Sequence, residues 1–235
     1  MNLLLFSAAD RLDAQQIRIT GPRLQHLRRV LGAALGDSVR VGEIDGLTGA
    51  GHIRAIDAHQ AVLQVELDRA PPEKLPLRLV VALPRPKMLR RIIRTVAELG
   101  VAELHLINSY RVEKSYWQTP ALAPQVLREY LLQGLEQARD TIVPTVHCHR
   151  RFRPFAEDTL PGLTSDHLAL LAQPGEHPPC PRDSGVPTLL VVGPEGGFIP
   201  YEVEQLQRAG CRPVSLGPRI LRVETALTVL LGRLF

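Results

Sequence analysis

Lysine is nearly absent from this chain. Only Lys74, Lys87 and Lys114 occur, so 25 of the 28 basic residues are arginine. Cysteine is scarce and odd in number, at Cys148, Cys180 and Cys211. That wide spacing argues against a disulfide framework or a CxxC zinc site and favours a reducing compartment. No apolar run approaches the roughly 20 residues of a membrane span. The first residues, MNLLLFSAADRLD, have no basic leader and only a short apolar run, so no signal peptide is expected. These absences predict a cytoplasmic protein with no membrane contact. Two phosphate signatures are missing as well. Neither GxxxxGK followed by Ser or Thr nor GxGxxG occurs, which speaks against a phosphate-loop or dinucleotide enzyme.

What is present begins with 235 residues, 45% of them hydrophobic, enough for one large domain or two modest ones. The formal net charge is +4 and is unevenly spread. Residues 1–72 hold 8 basic and 8 acidic residues, and residues 73–235 hold 20 and 16. The cationic excess is therefore all C-terminal. Arginine binds phosphate bidentately and stacks on bases, although a GC-rich coding sequence would give the same bias.

The hydrophobic period divides the chain. Residues 2–6, 15–20, 38–44, 50–56 and 61–68 are short, mostly alternating stretches parted by Gly or Asp turns, as strands are. One helix interrupts them at GPRLQHLRRVLG, with Pro22 in its first turn and Gly32 past its end. Many short strands with one helix predict a small β-barrel over residues 1–72. Arg69–Arg78 carries three prolines and reads as a linker. Residues 73–235 alternate strands and helices, which predicts an α/β domain with a parallel sheet covered on both faces. Its first helix, PKMLRRIIRTVAELG, sets Leu89, Ile92, Ile93 and Val96 on one face.

Two glycine turns stand at predicted strand ends. Ligands of open parallel sheets bind there. In VVGPEGGFIP, residues 191–200, Glu195 sits among the glycines. A carboxylate there repels phosphate by about 4 kcal/mol at 4 Å and an effective dielectric near 20. A ligand carrying positive charge fits better. LGPRILRVETA, residues 216–226, ends the next strand, and the two turns are expected side by side. Glu224 and Thr225 suit the first turn of the helix that follows. Arg219 and Arg222 do not, since the helix dipole disfavours cations there, and they point to an anionic partner.

These residues carry a resemblance. AELGV at 97–101, EQARD at 136–140, GPEGGF at 193–198 and LGPRILRVETA at 216–226 stand in the order seen in the SPOUT methyltransferases. They most resemble the members that methylate N3 of a uridine in 16S ribosomal RNA. The resemblance implies a deep trefoil knot, an N-terminal PUA-like β-barrel, and a homodimer with its site at the subunit interface. It implies S-adenosylmethionine as cofactor and the small ribosomal subunit or its 16S rRNA as partner. The implied cofactor contacts fall in three groups. Leu171, Ala172 and Gln173 form the first, and Gly193, Pro194, Glu195, Gly196 and Gly197 the second. Leu216, Gly217, Ile220, Leu221 and Thr225 form the third. One departure is Thr95, where relatives usually carry a lysine.

Arg222 is the expected catalytic cation, stabilising the imide anion of uridine, with Arg219 second in that role. Glu224 would orient Arg222 or take the proton. RNA contacts are expected from Arg23, Arg28 and Arg29, from Arg85, Lys87, Arg90, Arg91 and Arg94, and from Arg219. His147 and His149 lack further ligands at metal-site spacing, so no metal is expected. Tyr116 and Trp117 lie in a loop, where they would stack a flipped base or pack between subunits.

Overall fold

The computed structural model describes residues 2–235, which fall into two compact units. Of these, residues 2–73 and 132–143 make one unit, and residues 74–131 and 144–235 the other. The first break lies in the proline-rich linker. The segment 132–143 differs from the sequence reading, which assigns it to the second domain. Backbone bonds hold it to the first unit. Asn2 N–H donates to the Glu136 carbonyl at 3.2 Å, and Asp45 N–H to that of Thr141 at 2.9 Å. Val143 N–H donates to the Asp45 carboxylate at 2.9 Å. Helical period shows that such a segment is a helix, and says nothing about which core its last turns serve.

The first unit builds β1 (Leu4–Phe6), β2 (Gln16–Ile19), α1 (Gly21–Arg29), β3 (Ser38–Glu43), β4 (Thr48–Ile56) and β5 (Ala61–Arg69). The strands form one mixed sheet in the order β1-β3-β4-β5-β2, with β1 parallel to β3 and the other pairs antiparallel. Alternation does the sorting: Ile17 and Ile19 of β2 face inward while Gln16 and Arg18 face solvent. They join Phe6, Leu24, Leu27, Val41, Ile53 and Leu63 in one core.

The second unit holds β6 (Leu75–Ala82), α2 (Pro86–Glu98), β7 (Val101–Ile107), α3 (Pro124–Ala138, its first turns), β8 (Thr145–His149), β9 (Leu168–Ala172), β10 (Thr188–Val192), α6 (Pro200–Arg208), β11 (Arg212–Val214) and α7 (Val223–Leu234). Between β8 and β9 lie α4 (Phe152–Pro154), a π-helical turn at Phe155–Thr159 and α5 (Leu160–Thr164). The six strands are parallel, in the order β11-β9-β10-β6-β7-β8. All five residues of β10 are buried, as a central strand requires. Leu89, Ile92, Ile93 and Val96 of α2 are buried as their spacing predicts.

Three expectations need correction. The two glycine turns are not on adjacent strands, because β9 lies between β10 and β11. The helical run from Phe152 to Thr164 is not foreseen, because Pro154 and Pro161 break its period. Trp117 is packed inside its own chain rather than presented as a stacking platform. It is 7% exposed, its Nε1–H donates to Asn108 Oδ1 at 2.9 Å, and the Arg150 guanidinium lies 5.5 Å from its ring centroid.

Candidate active site

Because β9, β10 and β11 run parallel, their carboxyl ends reach the same edge of the sheet. The turn after β10 closes on itself through Gly197 N–H donating to the Pro194 carbonyl at 2.8 Å. Gly197 has φ of 72°, the left-handed region where a side chain is strained. The Arg111 guanidinium donates to the Gly196 carbonyl. A Cβ on Gly196 would stand 2.9 Å from Arg111 Cδ, so the arginine seats on bare backbone. After β11, Gly217 N–H donates to Ser215 Oγ at 3.1 Å. The end of β9 joins them through Gln173 N–H and the Val214 carbonyl, at 2.9 Å.

Between these ends lies a cleft of about 110 Å³ that opens to solvent. Ala172, Gln173, Gly193, Pro194, Glu195, Gly197, Leu216, Gly217, Ile220 and Leu221 line it. Three other residues of the expected set do not. Leu171 is fully buried in the sheet, Gly196 is turned to Arg111, and Thr225 is exposed on α7. Pro174, Val192, Val214 and Ser215 also line the cleft, as do Val223, Ala226 and Leu230 of α7, none of them among the expected residues. The i, i+3, i+7 spacing of the three on α7 is the signal that identifies them.

Among the described residues that line the cleft, the charged ones are Glu195 and Arg219. Glu195 Oε1 lies 3.9 Å from Arg85 Nε, both groups well exposed, so the pair contributes little to stability. Arg219 also lines an adjoining shallow cleft with Glu176, His177 and Arg233. Arg222 is outside the wall. It caps α7 with extended backbone (φ −66°, ψ 152°), while its neighbours Leu221 and Val223 both line the cleft. Extended backbone alternates sides, so Arg222 faces away, exposed. Glu224 is half-buried and also off the wall.

Glu202, absent from the sequence reading, holds the arrangement from behind. It is buried at 2% exposure. Its carboxylate accepts from Tyr110 N–H at 2.7 Å, Ile199 N–H at 3.1 Å and Ser109 Oγ at 3.2 Å. Three donors offset the cost of burying the charge. The bonds tie the start of α6 to the loop after β7, and that loop carries Arg111 to Gly196. The contacts span 92 and 93 residues, which no local motif reveals.

Residues 71–234 match the family described as an RNA methyltransferase domain. The chain belongs to that family. Curated relatives of this RNA methyltransferase include two proteins named ribosomal RNA small subunit methyltransferase E. That of Treponema pallidum (strain Nichols) is 29% identical over 235 residues, covering 96% of this chain and 87% of the relative. That of Synechocystis sp. is 29% identical over 248 residues, covering 98% and 76%. The fold also matches a crystal structure of ribosomal RNA small subunit methyltransferase E from Neisseria gonorrhoeae bound to S-adenosyl methionine. The TM-score is 0.77 at 20% identity, over 98% of this chain and 95% of that one.

The basic residues of this RNA methyltransferase divide by what they touch. Arg23 is committed within its own unit: it forms an ion pair with Asp10 at 2.6 Å and donates to the Leu5 carbonyl at 3.1 Å. Arg28 and Arg29 are exposed on α1. On α2, Arg90 and Arg94 lie 6.0 and 4.7 Å from the ring centroid of Tyr130. Lys87 and Arg91 are exposed, as is Arg85 at the helix cap. His147 has company that the sequence did not suggest: Glu103 and His105 bring their ligand atoms within 4.8 Å of its own.

Proposed function

We propose that this RNA methyltransferase transfers a methyl group from S-adenosylmethionine to N3 of a uridine in 16S rRNA of the small ribosomal subunit. The observation that carries the reading is the cleft at the ends of β9, β10 and β11, in a chain whose relatives are named for small-subunit ribosomal RNA. The lining residues fit the cofactor. Val192, Leu216, Leu221, Ala226 and Leu230 offer apolar surface to an adenosine. The glycine turns let backbone groups approach its polar atoms, and Glu195 suits a ligand bearing positive charge. Bound there, S-adenosylmethionine supplies a methyl group already activated on a sulfonium.

The chain's own residues then align the acceptor and manage its proton. Arg219, which lines both clefts, is the cation we assign to favour the imide anion of uridine by facing a carbonyl oxygen. The sequence puts Arg222 first in this role, but it faces away from the cleft wall, so we take it as the second cation, with Glu224 to orient it or take the N3 proton. The first unit, with exposed Arg28 and Arg29, acts as a PUA-like RNA-binding barrel, and residues 73–235 as the catalytic domain. A trefoil knot fits the way the loop after β9 is tied to α7. There Arg233 Nε donates to the Cys180 carbonyl at 2.6 Å, and Ser184 N–H to that of Leu234 at 2.8 Å. A homodimer would cover Ile220 and Tyr110, which are 84% and 79% exposed. Action on ribosomal RNA sets the work in the cytoplasm.

Calorimetry with S-adenosylmethionine tests the cofactor site. One molecule is expected to bind per chain. Gly197→Ala should weaken binding by roughly 5- to 30-fold, because a side chain at positive φ costs about 1–2 kcal/mol and opens the turn. A folded protein that takes up no cofactor would contradict the reading.

A further inference from the structure

Outside the cleft, one cluster of donors is unused by the proposed reaction. β7 and the edge strand β8 pair in parallel, with His105 opposite His147 and Ile107 opposite His149. Alternation sets Glu103, His105, His147 and His149 on one face. Glu103 Oε1 lies 3.0 Å from His105 Nε2 and 3.5 Å from His147 Nε2. All three ligand atoms fall within 4.8 Å of one another.

Each inner group has an outer partner that aims it. Arg78 of β6 donates through Nε to Glu103 Oε2 at 3.2 Å and through Nη1 to the Leu163 carbonyl at 3.1 Å. That leaves Oε1 directed at the imidazoles. His105 Nδ1 is 3.0 Å from His149 Nε2, and His149 packs against Phe155 with ring centroids 4.7 Å apart. His105 is 3% exposed. His147 is the open side, with 43% of its side chain exposed.

We propose that Glu103, His105 and His147 bind one divalent transition-metal ion of the zinc type, with solvent completing its shell. Metal–donor bonds of about 2.0–2.1 Å in a tetrahedron place the donor atoms roughly 3.3 Å apart. The two separations from Glu103, 3.0 and 3.5 Å, lie on either side of that value, and all three donor atoms fall within 4.8 Å of one another. Two imidazoles and one carboxylate favour zinc over magnesium or calcium, which prefer all-oxygen sites. A ligating histidine donates its other ring N–H to an outer acceptor. His149 Nε2 is that acceptor, so metal binding fixes the His105 proton on Nδ1. Without the ion, Nε2–H donates to Glu103 and the same atoms form a proton-sharing network. None of the three ligands lines the cofactor cleft, so the site stands apart from the methyl-transfer reading. The ion would clamp the edge strand β8 to β7.

The full-length protein, free of any histidine tag and dialysed against a chelator, is titrated with Co2+ as a spectroscopic probe and then with Zn2+. One equivalent of Co2+ should give the visible absorption of a low-coordinate site, and Zn2+ should displace it. Zn2+ should also raise Tm. His147→Gln and Glu103→Gln should each weaken binding at least tenfold and remove the rise in Tm. His177→Gln should leave both intact, and circular dichroism checks the fold of each variant. Absence of stoichiometric binding by the folded protein, or undiminished binding by His147→Gln, overturns the proposal.

Discussion

Arg23 and Arg219 show how two arginines of one chain take opposite roles. Arg23 is held between the Asp10 carboxylate and the Leu5 carbonyl, so its charge serves the fold. Burial raises the Asp10 pKa, but bonds from Arg23 and Ser7 outweigh it and leave the carboxyl below its usual range. A carboxyl with a depressed folded pKa stabilises the native state above its unfolded value, near 4, and that stability is lost as pH falls through the folded value. Arg23→Ala should therefore flatten the acid limb of the stability profile. It should cost about 1–2 kcal/mol at neutral pH in denaturant unfolding, the value of a charge-assisted bond. Arg219 lines the cleft and forms no ion pair among the described residues. Arg219→Ala should lower kcat by about 100-fold while S-adenosylmethionine affinity changes little, the effect of removing one preorganised donor. Methyl-transfer kinetics beside calorimetry separate the two. A larger loss for Arg222→Ala would reverse their order. At this scale the cleft was legible where its residues form local strings, as in GPEGGF and LGPRIL. It was illegible where contacts join distant segments: Arg111 reaches Gly196 across 85 residues, and Glu202 reaches Tyr110 across 92.

Helical period and terminal punctuation agree best in α2. In α2, Pro86 opens the helix, Gly100 follows it, and the buried face is the one its spacing predicts. The run from Phe152 to Thr164 is hidden in the sequence because two prolines interrupt it, and the order of β9, β10 and β11 is hidden because local pattern carries no information on sheet neighbours. The other flank of α2 bears the cations. Arg90 and Arg94 lie over Tyr130, whereas Lys87 and Arg91 are exposed and available to phosphate. Replacing Lys87 and Arg91 together by alanine should weaken RNA binding and make it less sensitive to salt. Each lost phosphate contact should reduce the slope of log K against log salt by about 0.7–0.9. An unchanged slope in a salt series would remove α2 from the RNA surface.

For the whole molecule, the linker at Arg69–Arg78 marked the first division, and the change from short alternating strands to strand–helix alternation marked the class of each part. The return of Leu132–Val143 to the first unit was hidden, because it rests on Asp45 and Thr141, nearly a hundred residues apart. The same division frames the proposed activity: an arginine-bearing first unit, a cofactor cleft in the second, and a chain family defined by RNA methylation. The most direct trial gives the purified protein S-adenosylmethionine with naked 16S rRNA or assembled small subunits, and maps the product by mass spectrometry. The account predicts a single methyl group on N3 of one uridine of the small-subunit RNA. A methyl group on a ribose 2′-hydroxyl, or in transfer RNA or 23S rRNA instead, would contradict it.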